Sequence, residues 1–359
     1  MNIHKIVKTG KKIQLATLLV LITVLCYSQA GQIVSDSIQS KSLAKTITQE
    51  NPVRQMAIYL PPGYSVSTRR YPVLYLLHGI GDDQEEFTGD TIQNHNIKDL
   101  MNAGIATNKF GEMIVVMPDE KTNLFGSFYS NSSVIGNWED FTTIELVDFI
   151  DTKYRTIAKA SSRAIAGHSM GGYGALTLAM KHPDIFSVTY GMNAALICFC
   201  GEIEADNPAV IKSIKAKNYD DLMATQNSVS VGMLTVAQAF SPNPLRPPFY
   251  ADNPFKMEGN KVIPNPEAYN KWIVKNPVQM AEKYKSNLLK LKAIKFDSGN
   301  DDEYRFITEN NRLFSKKLTL LKIPHQFEEY NGDHRNRLWS LDGRIYNDVL
   351  PFVFDNIGK

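Results

Sequence analysis

The chain has 359 residues, of which 43% are hydrophobic and 21% are charged, and it contains three cysteines. This composition is ordinary for a globular protein and excludes collagenous, coiled-coil, disordered and disulfide-scaffold classes. The formal net charge is +2, but residues 1–30 contain four lysines and no acidic residue. The rest of the chain has 35 basic and 37 acidic side chains, so no nucleic-acid partner is predicted.

The first 30 residues have the pattern of a secretory signal peptide. Four lysines precede a short apolar run from Ile13 to Cys26, and small residues follow at Ser28 and Ala30. This run is too short to span a bilayer comfortably, so no stable membrane span is predicted in the mature chain. We predict cleavage after Ala30 and a secreted or periplasmic protein. Lipidation at Cys26 is disfavoured, because Leu25 stands where a small residue should precede the lipidated cysteine.

Residues 31–50 are polar and show no periodicity, which indicates a leader or linker before a single domain at 51–359. In that domain, short β-rich runs alternate with helical segments, which is typical of an α/β fold with a mostly parallel sheet and helices on both faces. Strands are predicted at Val53–Leu60, Val73–Leu77, Met113–Met117, Ala164–Gly167, Val188–Met192, Ile294–Asp297 and Gln326–Tyr330. Helices are predicted at Ile97–Ala103, Thr142–Tyr154, Gly172–Lys181 and Phe306–Leu318.

The segment Gly167-His168-Ser169-Met170-Gly171 lies between a predicted strand and a predicted helix. This is the G-x-S-x-G nucleophile elbow in the strand–turn–helix context of an α/β-hydrolase. The strained turn requires small flanking residues and holds the serine hydroxyl at a helix N-terminus, which favours negative charge. We therefore predict Ser169 as the nucleophile and the backbone amide of Met170 as an oxyanion donor. A glycine-rich loop with an incidental serine would not explain the glycine spacing.

His78, Gly79 and Ile80 follow the predicted strand Val73–Leu77. In the α/β-hydrolase fold, the loop after an early strand supplies the second oxyanion donor. We predict that donor to be the amide of Ile80, with the amide of Gly79 as the alternative, and we expect His78 to shape the loop.

The general base and the acid are predicted near the end of the chain. His334 follows the last predicted strand, where this fold has its base, and the order serine, acid, histidine is then complete. Of the carboxyls in the preceding loop, Asp302 is predicted to orient the imidazole, with Asp301 as the alternative. A calcium-binding loop is excluded, because Asp302 and Thr308 stand where glycine and glutamate are required.

Three features concern the middle of the chain. Cys198 and Cys200 are predicted to be two buried thiols, because bridging residues two apart strains a disulfide.

The stretch at about 201–277 is rich in proline without a clear strand, which indicates a cap or lid inserted over the sheet. Aromatic side chains are candidates for a substrate pocket, although core packing is their commoner use; Trp138, Phe249 and Tyr250 are predicted, with Phe125, Phe128, Tyr129 and Trp272 as further candidates.

Taken in order, these motifs resemble the esterase D-like branch of the α/β-hydrolases, which includes feruloyl and acetylxylan esterases, S-formylglutathione hydrolases and mycolyltransferases. The resemblance implies a triad at Ser169, Asp302 and His334 and an oxyanion hole at Ile80 and Met170. The sequence departs from the family pattern most in 198–250, and at the acid, where it has Asn-Asp-Asp. The matching segments are Tyr59–Tyr64, Tyr71–Gly79, Val116–Asp119, Gly167–Gly172, Gly299–Asp302 and Gly332–His334 with Trp339.

We therefore predict a secreted serine esterase that acts through an acyl-enzyme on a small-molecule or polysaccharide-linked ester, such as an acetyl or feruloyl ester of a carbohydrate. No organic cofactor and no metal are predicted. The alternatives are transfer of the acyl group to a sugar hydroxyl, an S-formylglutathione hydrolase-like thioesterase, and a catalytically inactive binding module.

Overall fold

The structure is a computed structural model that describes residues 30–89 and 96–358. The signal peptide predicted for residues 1–30 lies outside the described residues, except for Ala30. Among the described residues, no helix has both the length and the apolar character needed to cross a membrane.

The strands, in chain order, are β1 (Gln32–Gln39), β2 (Val53–Leu60), β3 (Val73–Leu77), β4 (Ile114–Pro118), β5 (Asn131–Ser132), β6 (Gly136–Asn137), β7 (Arg163–His168), β8 (Val188–Met192), β9 (Phe255–Glu258), β10 (Lys261–Pro264), β11 (Ala293–Gly299) and β12 (Gln326–Tyr330). The α-helices are α1 (Ile97–Ala106), α2 (Trp138–Asp140), α3 (Leu146–Lys153), α4 (Met170–Lys181), α5 (Pro208–Lys215), α6 (Tyr219–Met223), α7 (Ser228–Phe240), α8 (Pro266–Ile273), α9 (Pro277–Lys283), α10 (Lys285–Leu288), α11 (Arg305–Leu320) and α12 (Leu350–Asn356). Short 3-10 or π-helical turns lie at Phe141–Glu145, Ala160–Ser162, Gly201–Ile203 and Ile345–Val349.

The central sheet of the described chain has eight strands in the order β1-β2-β4-β3-β7-β8-β11-β12. The pairs β1–β2 and β2–β4 are antiparallel, and every pair from β4 to β12 is parallel. The carboxyl ends of the parallel strands therefore meet at one edge of the sheet. The predicted core strands are all present, with bounds that differ by no more than two residues at either end.

Hydrophobic cores cover both faces of the sheet. In β3, Val73, Tyr75 and Leu77 pack on one face, whereas Leu74 and Leu76 pack on the other. Because successive side chains of a strand point to opposite faces, a strand covered on both sides needs a continuous apolar run. Helix α4 belongs to the first core, and α1 and α12 belong to the second.

The segment 31–50 is not the linker that the sequence predicts. β1 occupies most of it and pairs along its whole length with β2, from Gln32 opposite Leu60 to Gln39 opposite Val53. Its polar residues suit an edge strand, which is exposed on one side and is protected from further pairing by polar and charged side chains.

The predicted insertion and the cysteine pair just before it also differ from the prediction. The structure joins Cys198 and Cys200 in a disulfide, so the predicted pair of free thiols is wrong. A bend in the chain at Phe199 and Cys200 places the Cα atoms of the two cysteines 5.4 Å apart, within the range that a disulfide spans. Residues 201–277, called the insertion below, contain a strand pair, β9 and β10. Gly259, with φ of 59°, supplies the positive φ that a tight hairpin turn needs.

One buried ion pair fastens the chain after β12 to the sheet. The Arg344 guanidinium binds the Asp297 carboxylate of β11, and the two side chains are 5% and 0% exposed. Arg344 also donates to the hydroxyl of Tyr190 in β8. Burial raises the pKa of Asp297, although the neighbouring guanidinium favours the carboxylate. The pair thus connects two strands with the segment before α12.

We expect Arg344→Met to lower the free energy of unfolding by about 3–5 kcal/mol, because it leaves the Asp297 carboxylate buried without its partner. Urea unfolding at neutral pH measures the change. Arg305→Met is the control, since Arg305 pairs with Glu202 at the surface and is 70% exposed; this change should cost less than about 1 kcal/mol. Equal losses in the two variants would contradict a structural role for the buried pair.

Candidate active site

Ser169 occupies a sharp turn between β7 and α4. Its backbone has φ of 56° and ψ of −116°, a conformation that a residue with a side chain rarely adopts. A β-carbon at Gly167 would collide with the carbonyl of Gly171, and one at Gly171 would collide with the carbonyl of Leu77. Glycine is therefore required at both positions, and the turn raises the Ser169 hydroxyl above the carboxyl edge of the sheet.

The structure brings Ser169, His334 and Asp302 together. His334 Nε2 lies 3.0 Å from Ser169 Oγ, and His334 Nδ1 lies 2.8 Å from Asp302 Oδ2. The carboxylate accepts a hydrogen bond from the protonated Nδ1, so Nε2 is left as the acceptor for the serine hydroxyl. Asp302 is buried and its second oxygen accepts from the amide of Tyr304. Asp301, the alternative acid, is exposed and has no contact with the imidazole among the described residues.

Asn193, which was not predicted as a site residue, holds the loop that carries His334. Its side-chain amide donates to the His334 carbonyl at 2.9 Å and to the Tyr330 hydroxyl at 2.7 Å. Its oxygen accepts from the amide of Gly299 at 2.7 Å. A polar residue directly after the buried strand β8 is a signal that could have found it, because polar residues at the carboxyl ends of parallel strands often belong to sites.

Ile80 and Met170, whose amides are the predicted oxyanion donors, line the same cavity as Ser169 and His334. Met170 is the first residue of α4, so its N–H is one of the amides that a helix leaves unpaired. In the described part of the chain, neither amide has an intramolecular acceptor. The loop next to Ile80 is fixed, because the Gly81 amide donates to the Phe125 carbonyl at 2.9 Å.

His78 shapes this loop, as the sequence predicts. Its Nε2 accepts from the Glu120 amide at 2.8 Å, so the proton is on Nδ1, which donates to the Gly79 carbonyl at 2.8 Å. The Tyr129 hydroxyl donates to the His78 carbonyl. Complete burial lowers the pKa of His78, which therefore stays neutral.

A buried carboxyl, Glu86, lies behind the site and was not predicted. Its Oε2 accepts from the Gly79 amide at 3.2 Å, and its Oε1 lies 3.8 Å from His168 Nδ1. Neither Oε1 nor that nitrogen has a hydrogen-bond partner within the described residues. His168 donates through Nε2 to the His334 carbonyl at 2.8 Å, so its Nδ1 is an acceptor. A protonated Glu86 would present a hydrogen to that nitrogen, whereas a carboxylate would present only lone pairs.

Burial favours the protonated form of Glu86. Burial raises its pKa to about 8, with a further raising effect from Asp82 and a lowering effect from Arg335. Burial also lowers the pKa of His168 well below its usual range, which keeps that imidazole neutral. No signal in the sequence indicates a buried Glu86, because this residue ends an acidic run that has the pattern of an exposed turn.

The cavity at Ser169 has a volume of about 210 Å³ and lies between the sheet edge and α7 of the insertion. Of the aromatic candidates, Phe128 and Trp272 line it. The predicted substrate contacts Trp138, Phe249 and Tyr250 do not line it, and that prediction is wrong. All three pack against the protein interior instead, as large aromatic side chains commonly do.

Residues 48–342 match the family model described as "Putative esterase". The chain belongs to this esterase family. Over 134 residues the chain is 43% identical to an esterase of Mycobacterium tuberculosis, a match that covers 36% of this chain and 26% of that protein. It is 34% identical over 133 residues to an endo-1,4-beta-xylanase/feruloyl esterase of Xylanibacter ruminicola, covering 36% of this chain and 18% of that protein.

The chain also has the fold of a solved ferulic acid esterase. The TM-score is 0.63 at 24% sequence identity, and the alignment covers 92% of this chain and 100% of the other. The predicted α/β-hydrolase fold and the predicted family are thereby confirmed. The chain spans about a quarter or less of the lengths of the two relatives named above.

We expect Asn193→Ala to lower kcat for p-nitrophenyl acetate by about 10²-fold, because displacement of a catalytic group by about 1 Å costs that much. The control is Asn310→Ala, which removes another buried amide, bonded to the Leu196 carbonyl at 2.6 Å, away from the triad. A loss no greater in Asn193→Ala than in Asn310→Ala would contradict the positioning role of Asn193.

Glu86→Gln should flatten the pH dependence of stability. The folded-state pKa of about 8 lies above the ordinary value of about 4.3, so the folded protein keeps a proton that the unfolded chain releases. The contribution of Glu86 to the free energy of unfolding is fully present below the ordinary pKa, and it is lost as the pH rises through about 8. Glutamine resembles the protonated acid, so the variant should lose a slope of up to about 1.4 kcal/mol per pH unit.

Urea unfolding at about pH 5, 6.5 and 8 measures that slope. The matched control is Glu85→Gln, which changes the neighbouring exposed carboxyl. If the free energy of unfolding changed with pH equally in the wild type and in Glu86→Gln, Glu86 would be ionised over this whole pH range.

Proposed function

We propose that the chain is a secreted serine carboxylic ester hydrolase that acts through an acyl-enzyme on acyl esters of carbohydrates. The observation that carries this proposal is the line of hydrogen bonds from Ser169 Oγ to His334 Nε2, at 3.0 Å, and from His334 Nδ1 to Asp302, at 2.8 Å. A nucleophile within hydrogen-bond reach of a base, which is itself oriented by a carboxylate, is the arrangement that activates serine.

In the first half-reaction, His334 takes the proton of Ser169 as Oγ attacks the ester carbonyl. The new C–O bond moves the carbonyl electron pair onto oxygen, and the amides of Ile80 and Met170 would donate to that oxyanion. Each such donor contributes about 3 kcal/mol to catalysis. The intermediate collapses when the bond to the alcohol breaks, and the alkoxide takes the proton from His334. Asp302 stabilises the imidazolium meanwhile.

In the second half-reaction, water replaces the alcohol. His334 removes a proton from the water as its oxygen attacks the acyl carbon, and a second oxyanion forms at the same amides. The bond to Ser169 Oγ then breaks, and Oγ recovers its proton from His334. The acid leaves, and the free enzyme is restored without a cofactor.

Three observations support an extracellular carbohydrate ester. The charged and hydroxyl-bearing side chains of Glu303, Tyr304 and Arg335 border the cavity, so an alcohol portion rich in hydroxyl groups would find hydrogen-bond partners there. The N-terminal pattern that ends at Ala30 predicts export. One relative bears the name xylanase/feruloyl esterase, which is in keeping with acyl groups attached to polysaccharide.

Ser169→Ala should lower kcat/KM for p-nitrophenyl acetate at least about 10³-fold, because only the oxyanion hole and binding remain. Asp302→Asn should lower kcat by up to about 10⁴-fold, since an amide favours the wrong tautomer of the imidazole. Asp301→Asn is the matched control on the neighbouring exposed carboxyl, and it should stay within about twofold of the wild type. Initial rates on folded, purified variants provide the measurement.

Two results would overturn the proposal. One is a wild type that is inert on short and aromatic esters alike, or a Ser169→Ala variant that keeps the rate. The other is acyl transfer that outpaces hydrolysis when a sugar acceptor is supplied, which product analysis would detect.

A further inference from the structure

The cavity above Ser169 has a polar mouth. Ser228, Glu303 and Arg335 border it with exposed side chains. The Ser228 hydroxyl accepts from the half-buried Tyr304 hydroxyl at 3.1 Å. Hydrogen-bonding groups are therefore concentrated where the cavity meets solvent.

The interior of the cavity is apolar. Beyond Ser169 and His334, none of its buried lining side chains carries a charge or a hydroxyl, among the residues that the structure describes. The indole N–H of Trp272 already donates to the Ser241 hydroxyl at 2.8 Å. The aliphatic and methionine side chains here are at most 5% exposed: Ile197, Ile203, Met233, Val236 and Ile307.

The half-buried Gly232 leaves open space at the cavity lining. It lines the cavity on α7 beside Val229, Met233 and Val236, which share one face of the helix through their three- and four-residue spacing. A β-carbon built at Gly232 would have no heavy atom within 4 Å. Glycine destabilises a helix interior relative to alanine, and no steric contact requires it here.

We propose that the interior binds a linear aliphatic acyl chain and that Gly232 determines how long a chain it accepts. This inference rests on the proposed function, because the chain is the acyl group carried by Ser169. A hydroxycinnamoyl group would place its phenolic oxygen among side chains that offer it no partner. A buried hydroxyl without a hydrogen bond is disfavoured, and apolar pockets discriminate against an added hydroxyl by up to about 10²-fold.

Two substrate comparisons test the chemical class with the wild-type enzyme. Methyl cinnamate and methyl p-coumarate differ by one phenolic hydroxyl, and we expect kcat/KM to be at least about tenfold higher for the cinnamate. In the series p-nitrophenyl acetate, butyrate and hexanoate, kcat/KM should rise about tenfold for two added methylenes. A p-coumarate preference, equal rates within the aromatic pair, or a rate that falls with chain length would overturn the inference.

Variants at Gly232 test the position. The ratio of kcat/KM for hexanoate to that for acetate should fall stepwise from the wild type through Gly232→Ala to Gly232→Leu, by about tenfold or more at the last step. Ala224→Leu is the matched control, since it adds the same side chain at an exposed position of the insertion outside the cavity. A ratio that is the same in Gly232→Leu and Ala224→Leu would refute the role of Gly232.

Failure of this inference is distinguishable from failure of the proposed function. If Ser169 is not the nucleophile, Ser169→Ala keeps the rate on every substrate. If only the acyl-chain assignment is wrong, Ser169→Ala abolishes hydrolysis while the wild-type substrate order or the Gly232 ratios contradict the expectation. Circular dichroism and urea unfolding confirm that each variant is folded before its ratio is interpreted.

Discussion

The close backbone packing at the β7–α4 turn is the constraint on which the site depends. The chain passes so near to itself and to β3 that Gly167 and Gly171 have no room for a side chain, and Ser169 is forced to a positive φ. A strained residue persists only where its surroundings hold it. Here β7 lies between β3 and β8 in the middle of the sheet, so the strain is held by the most deeply buried part of the fold.

The other components of the site follow from the parallel order of the strands. β3 ends beside the elbow and leads into the loop of Ile80, β8 ends at Asn193, β11 leads to Asp302, and β12 leads to His334. Because these strands are parallel, their carboxyl ends meet at one edge. Hydrogen bonds then join the loops across that edge. Asn193 connects three of them, which explains why a residue outside the triad is fully buried among polar groups.

Three side chains packed beside the His334 loop are uncharged. Asn193 is an amide, burial keeps His168 uncharged, and burial favours the protonated form of Glu86. A neutral support costs less to bury than an ion. It also leaves the Asp302 carboxylate as the charge that lies against the imidazole when it becomes cationic. The ion pair of Asp297 and Arg344 lies on β11 and the chain before α12, so it supports the sheet without contacting the imidazole.

The sequence predicted the features that are encoded locally. Continuous apolar runs predicted the parallel strands, and the glycine spacing around Ser169 predicted the elbow, because each pattern reflects the surroundings of a single segment. Apart from the disulfide of Cys198 and Cys200, the errors concern contacts with distant segments. β1 is polar, and its identity as a strand depends on β2, beyond an intervening turn. Trp138 and Trp272 are equally suited to a core or a pocket, and only the path of the insertion decides between them. The same holds for Glu86, whose environment is created by distant loops.

In the proposed site, the reacting groups and the apolar interior of the cavity belong to different segments. Such a fold could therefore change its substrate while it keeps its chemistry. The reacting groups stand on the sheet edge, where steric packing at the elbow and the hydrogen bonds of Asn193 leave little freedom. Much of the apolar interior is supplied by α7 and α8 of the insertion, which touch none of the triad hydrogen bonds. A substitution on α7 can therefore alter the room for an acyl chain without moving Ser169 or His334. In the proposed function, reactivity therefore belongs to the sheet edge and acyl-chain specificity belongs to the insertion.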